Sequence, residues 1–232
     1  MKAWKKRTWV LISLLCLALF TAAESAWGLM DFWLTASQKE TVIVIDAGHG
    51  GIDPGAVEEL TVEKDLNLAI AKKLQVYLEE AGYTVYMTRI EDTGLYEEDD
   101  TNKKRSDMQE RVSIITDSKA DLMISIHQNA YPDSRYYGPQ VFFQKNNTEA
   151  ATLALLVQEQ MNSFTLPGNT RQAKPNESYF ILKNSPMPAI LVECGFITNS
   201  NEAEKLHDES YQKKVAWGIY SGIEAYLRAS SN

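Results

Sequence analysis

TVIVIDAGHGGIDPGA, residues 41–56, decides how the rest of the chain is read. Residues 41–45 are apolar or β-branched without a polar break, the pattern of a buried strand. The run then opens into a loop with glycines at 48, 50, 51 and 55, a proline at 54, and His49 at its centre. A strand ending in such a loop is how an open α/β sheet presents a functional group at its carboxyl edge. Any further parallel strand of the same sheet would bring its own carboxyl end to that edge.

Working outward, residues 61–81 read as a helix. Leu66, Ala69, Ile70, Leu74, Tyr77 and Leu78 recur at helical spacing, Thr61 is an acceptable N-cap, and Gly82 ends the run. Residues 83–88 (YTVYMT) are the next strand, which completes a βαβ unit with a right-handed crossover. Residues 91–104 are acidic and polar and read as an exposed loop. A second helix is expected over 105–117, with Met108, Val112 and Ile115 inward. DLMISIH, residues 121–127, is apolar on both faces, as a central parallel strand should be. Residues 136–144 suggest a fourth strand, placed at an edge by Pro139. A helix follows over 149–164, then a polar loop over 166–177. SYFILK (178–183) and AILVEC (189–194) read as two more strands, and 211–228 as the last helix. The alternation predicts an α/β fold: a single three-layer domain with a mostly parallel sheet and helices on both faces.

The 232 residues suffice for one sizeable core, and 44% hydrophobic with 23% charged residues is ordinary for a globular chain. A net charge of −8 argues against a nucleic-acid binder, which needs a basic face to neutralise phosphates. It also gives no electrostatic drive onto an anionic wall or membrane. The two cysteines, Cys16 and Cys194, make no disulfide framework, and Cys16 follows two leucines rather than a small residue, so lipid attachment is disfavoured. At the N-terminus, Lys2, Lys5, Lys6 and Arg7 precede an uncharged run over 8–23. This is a signal peptide, cleaved after Ala23, or a retained membrane anchor; both place the remainder outside the cytoplasm. Residues 24–40 read as a short stalk and 41–229 as the functional domain.

Three histidines are available. His207, in the polar stretch KLHDE, reads as a solvated surface residue. His49 and His127 are more telling together than apart, because both end predicted parallel strands and so share one sheet edge. Glu63 lies in the first turn of the helix after the glycine loop, which begins at that same edge. Alone it would be a carboxylate favouring the helix dipole. With the two imidazoles it matches a catalytic zinc site with one open position. Glu193 interrupts AILVECGF, where an unpaired buried carboxylate is expensive. It reads either as half of a structural ion pair or as a general base for metal-assisted hydrolysis.

DAGHGGIDPGA, VEKDLNLA, ISIHQNA and ILVECGFITN, in that order, resemble the motif blocks of the zinc-dependent N-acetylmuramoyl-L-alanine amidases of the type-3 family. The resemblance runs from about residue 41 to 227. It implies one Zn2+ held by His49, Glu63 and His127, with Glu193 as the catalytic carboxylate. It also implies a peptidoglycan substrate whose bond between N-acetylmuramic acid and L-alanine is hydrolysed. Asp46 and Asn129 are candidates for orienting the ligands or touching substrate. The absence of wall-binding repeats, and the segment TRQAKPNESYFILKNSPMPAILVECGF, are most similar to the spore-cortex, germination-specific branch. There the reaction is a step toward muramic δ-lactam. A general vegetative wall amidase is the alternative, and less favoured are another zinc peptidase, a glycan deacetylase, or a non-catalytic wall-binding protein. Cys194 stands where an aliphatic residue is more usual. No inhibitory helix is apparent between the motif blocks, so restraint of activity would come from outside, for instance from a protein activator.

Overall fold

Val42–Ala47 forms strand β1, buried from Ile43 onward, as its unbroken apolar run requires. The computed structural model describes residues 40–230; the expected signal or anchor and, apart from Glu40, the expected stalk lie outside them. From Thr41 onward the chain is one compact unit. After β1 come the two-residue strands β2 (Val57–Glu58) and β3 (Thr61–Val62), helix α1 (Glu63–Glu80), β4 (Thr84–Met87), α2 (Lys103–Asp117) and β5 (Leu122–Asn129). Then follow β6 (Gln140–Gln144), α3 (Thr148–Phe164), β7 (Lys174–Asn176), α4 (Phe180–Asn184), β8 (Ala189–Phe196), α5 (Ser200–His207) and α6 (Glu209–Ser230).

The main sheet has the order β4-β1-β5-β8-β6-β7. β4, β1, β5 and β8 run parallel, while β6 is antiparallel to β8 and carries β7 parallel to itself. This is a mixed, mostly parallel sheet in a single α/β domain. On one face Ile43, Ile45, Ile124, Ile126, Ile190 and Val192 pack under α1, α3 and α6. On the other, Val44, Met123, Ala189 and Leu191 meet Ile115 of α2 and Ile181 and Leu182 of α4. Each fully buried aliphatic side chain is worth about 1.5–3 kcal/mol, so the central strands hold the sheet edge firmly. Two helices approach closely where Gly222 of α6 faces α3: a Cβ there would lie 2.4 Å from the Val157 Cα.

Several sequence expectations are corrected. Residues 178–183 are not a strand. The Asn176 side chain accepts hydrogen bonds from the amides of Ser178 and Tyr179, which turns the chain into α4. A short apolar run of this length is compatible with either structure, and the turn decides. α4 is therefore a short helix between the third and fourth motif blocks, where no extra helix was expected. The strand in this region is instead β7, inside the expected polar loop. β6 is not at the edge: it lies between β8 and β7, and Pro139 stands just before it, where no ladder donor is needed. Thr61 does not cap α1. It pairs in the β2–β3 hairpin, Val62 occupies the cap position, and the Thr61 hydroxyl lies 2.9 Å from Nε2 of the exposed His207. The last helical region begins earlier than expected, with α5 capped by the Asn199 side chain.

Candidate active site

The parallel strands β1, β5 and β8 end side by side. His127 pairs with Glu193 across β5 and β8, and Asp46 pairs with Ser125 across β1 and β5. His49 follows β1 by two residues. It holds φ at 61°, in the left-handed region that non-glycine residues rarely adopt. Three contacts keep it there. Its carbonyl accepts from Arg111 Nη2 at 2.6 Å, its Nδ1 lies 2.9 Å from Asp53 Oδ2, and its Nε2 lies 3.2 Å from Glu63 Oε2. Gly48 precedes it for a steric reason: a Cβ there would meet His127 Nε2 at 2.2 Å. The backbone of Gly48 thus covers one side of the His127 ring, and the Nδ1 side points at Glu63 Oε1, 2.9 Å away.

Glu63 comes from the first turn of α1 and is buried. Its Oε2 accepts from the Ala56 amide at 2.8 Å. Its Oε1 accepts from the Gln128 amide at 3.1 Å and from Asn67 Nδ2 at 3.3 Å. The Gln128 amide is free to do this because the β5–β8 register slips between His127 and Asn129, a local irregularity of the kind common beside functional sites. Burial would raise the Glu63 carboxyl, but the two facing histidines outweigh it and hold the group far below the carboxylate range. One donor atom from each of His49, Glu63 and His127 lies within 4.8 Å of the others. Two imidazoles and an ionised carboxylate form a set that could hold a divalent metal, with His49 and Glu63 oriented by hydrogen bonds from behind and His127 fixed by packing against Gly48.

Glu193 borders the same cavity of about 130 Å³, with His49, His127, Asp46, Met108 and Tyr179. It is 7% exposed. Its Oε1 accepts a long bond of 3.4 Å from the Tyr179 hydroxyl, and its Oε2 has no partner. Burial, with the charge of Glu63, pushes its pKa up to about 7 despite the opposing histidines. The ion-pair reading of Glu193 is not realised in this structure: no lysine or arginine pairs with it among the described residues.

Asp46 also lines the cavity but makes no hydrogen bond to either histidine. It accepts from Thr88 Oγ1 at 2.8 Å, Ser125 Oγ at 2.6 Å and Arg111 Nη1 at 2.7 Å. Its reach to the site runs through Arg111, which binds the carbonyls of Ala47 and His49. Asn129 lies beyond the register slip, where its carbonyl accepts from the Ile197 amide; it does not line the cavity. The group that does orient His49 is Asp53, which the sequence did not single out. Arg111, Asp107 and Tyr179 were passed over as well. The first two sit on a helix whose composition reads as solvent-facing, and Tyr179 sits in the run mistaken for a strand.

A profile of N-acetylmuramoyl-L-alanine amidases matches residues 43–225. The germination-specific N-acetylmuramoyl-L-alanine amidase of Bacillus subtilis is 39% identical over 189 residues, covering 80% of this chain and 79% of that protein. The amidase LytC of the same organism is 33% identical over 186 residues, covering 80% of this chain but 35% of that longer protein. Among solved structures, the CwlD amidase of Clostridioides difficile, in complex with the GerS lipoprotein, superposes with a TM-score of 0.80 at 41% identity, covering 82% of this chain and 100% of that one. An N-acetylmuramoyl-L-alanine amidase from Clostridium difficile 630 gives a TM-score of 0.74 at 32% identity, covering 83% and 99%.

Proposed function

The chain belongs to the N-acetylmuramoyl-L-alanine amidase family and is a cell-wall amidase; from that premise we propose how its site works and where it acts. His49 through Nε2, Glu63 through its carboxylate and His127 through Nδ1 would hold one zinc ion. When bound, zinc supplies a Lewis acid that polarises the scissile carbonyl and lowers the pKa of water. Glu193 accepts the proton of the attacking water and delivers it to the leaving amine of L-alanine. Its raised pKa suits both halves of that transfer near neutral pH. Tyr179 fixes the carboxylate through Oε1 and leaves Oε2 turned to the reaction. Asp53 sets His49 so that Nε2 carries the lone pair.

The observation that carries this reading is the unpartnered, buried carboxylate oxygen of Glu193 in the cavity shared by His49 and His127. The site of action is outside the cytoplasm, in the spore cortex, where release of the stem peptide is a step toward muramic δ-lactam. Support comes from the similarity to a germination-specific amidase across most of both chains. The relative solved with a lipoprotein supports a protein partner for this chain too. No helix among the described residues is long and apolar enough to cross a membrane. The test is mass spectrometry of peptidoglycan fragments after incubation with purified protein, with and without zinc. Zinc-dependent release of peptides bearing a free L-alanine amine from intact glycan is expected. New reducing ends, deacetylated sugars or cuts within the peptide would overturn the reading.

A further inference from the structure

A larger cleft of about 520 Å³ is bordered by Asp133, Arg135, Tyr136, Tyr137, Asn169 and Arg171. The loop before β6 and the loop before β7 build it. β6 begins at Gln140, which pairs with Glu193, so the cleft opens at the same sheet edge one strand over from that carboxylate.

Arg171 is its fixed element. Its guanidinium stacks 4.7 Å from the Phe196 ring centre and 5.9 Å from that of Tyr136. Nε donates to the Tyr137 carbonyl at 2.8 Å and Nη1 to Gln140 Oε1 at 3.3 Å. Asn169 closes the loop by accepting from the Arg171 amide and donating to the Pro139 carbonyl. All of these acceptors are neutral. Among the described residues no carboxylate lies in salt-bridge range of Arg171; the buried Glu202 acts on it from farther off, and its Oε2 is already taken by the Gly138 and Phe196 amides. The neighbouring Arg135 differs: it is exposed and saturated by Asp133 through Nε and Nη2. A guanidinium that aromatic rings and neutral acceptors hold rigid, facing a cleft, is preorganised for an anion.

We propose that this cleft binds the stem peptide through a free carboxylate downstream of the scissile amide, with Arg171 as the anion-binding residue and Tyr136 and Tyr137 as walls for the peptide. The proposal rests on the amidase reading and names what lies on the leaving-group side of that site. Distance supports it. Neighbouring strands are about 4.8 Å apart, and an extended peptide advances about 3.4 Å per residue. One strand step plus the reach of the Gln140 side chain therefore places Arg171 about two or three residues along from the bond that Glu193 serves.

The test compares two synthetic substrates, N-acetylmuramoyl-L-alanyl-D-isoglutamate and its isoglutamine analogue, both blocked as the methylamide at the γ-carboxyl, so that they differ only by one carboxylate against a carboxamide and the second carries no free carboxylate. With the zinc-loaded protein, kcat/KM for the carboxylate is expected to be about tenfold higher, through KM. In Arg171→Gln the ratio should fall to about one, and Arg171→Lys, which keeps charge but loses the fork, should lie between. Calorimetric titration of unaltered protein with the two corresponding γ-blocked dipeptides gives a readout that needs neither a variant nor turnover, and the carboxylate should bind about tenfold more tightly. Equal binding of the two peptides, or a ratio that Arg171→Gln retains, overturns the cleft. Failure to release peptide from either substrate, with the carboxylate dipeptide still preferred in calorimetry, overturns the amidase chemistry and spares the cleft.

Discussion

Asp46 and Glu193 line one cavity and are both almost wholly buried, at 1% and 7% exposed, yet their surroundings are opposite. Asp46 receives Thr88, Ser125 and Arg111, so that burial, which would raise its pKa, is outweighed and the carboxyl is held below its usual range. Glu193 receives a single long contact from Tyr179, and burial raises it to about 7. The satisfied carboxylate anchors Arg111, and through it the backbone carbonyls of Ala47 and His49. The unsatisfied one keeps an oxygen without a hydrogen-bond partner, the feature on which its proposed role as base rests. At equal depth, the hydrogen-bond count sets the two carboxyls apart.

The comparison can be broken in order of expected effect. Glu193→Gln should lower stem-peptide release by about 10²–10⁴-fold, the usual worth of a general base, while the fold persists; steady-state kinetics on defined muropeptides measure it. Arg111→Met leaves Asp46 and Asp107 buried without their shared cation, and should destabilise the domain by about 3–5 kcal/mol in urea unfolding. Asp53→Ala removes the group behind His49 and should weaken zinc binding by about 10–100-fold in chelator competition.

The smallest effect sharpens the contrast through pH. Glu193 has its folded pKa raised from the ordinary 4.5 to about 7, so the folded state holds its proton more tightly than the unfolded state. Its contribution is most favourable below pH 4.5 and is lost as pH rises through about 7. In metal-free protein, Glu193→Gln should therefore raise the melting temperature at pH 8 and leave it nearly unchanged at pH 4.5, as thermal unfolding at the two pH values would show. Asp46→Asn should do the reverse at pH 8, because there the ionised form is the paired one.

The sheet and the four groups at its edge were legible in the sequence because each rests on a local signal that topology then combines. β1, β5 and β8 are unbroken apolar runs, and a parallel strand has only one carboxyl end at which His49, His127 or Glu193 can appear. Glu63 followed from the start of a strongly periodic helix. What stayed hidden depends on partners distant in sequence. Arg111 and Asp107 lie on a helix with few apolar residues, and nothing nearby shows that Asp46 draws them inside. Asp53 looks like any turn residue until His49 adopts a positive φ beside it. SYFILK is a short unbroken apolar run that reads as a buried strand, and only the Asn176 side chain, bonding two amides ahead, redirects it.

The order of the strands also has a meaning in time. β5 lies between β1 and β8, and the groups it unites come from positions 49, 63, 127 and 193, so no short stretch of chain contains more than two of them. Pairings between such distant segments form late, because a large loop must close before either strand is rewarded. The ion proposed for His49, Glu63 and His127 would need β1 joined to β5 before its ligands could meet, and would add its stability to the finished sheet alone. Metal uptake would then be a clock for folding, and a chain that had not closed its sheet could not yet take up the ion.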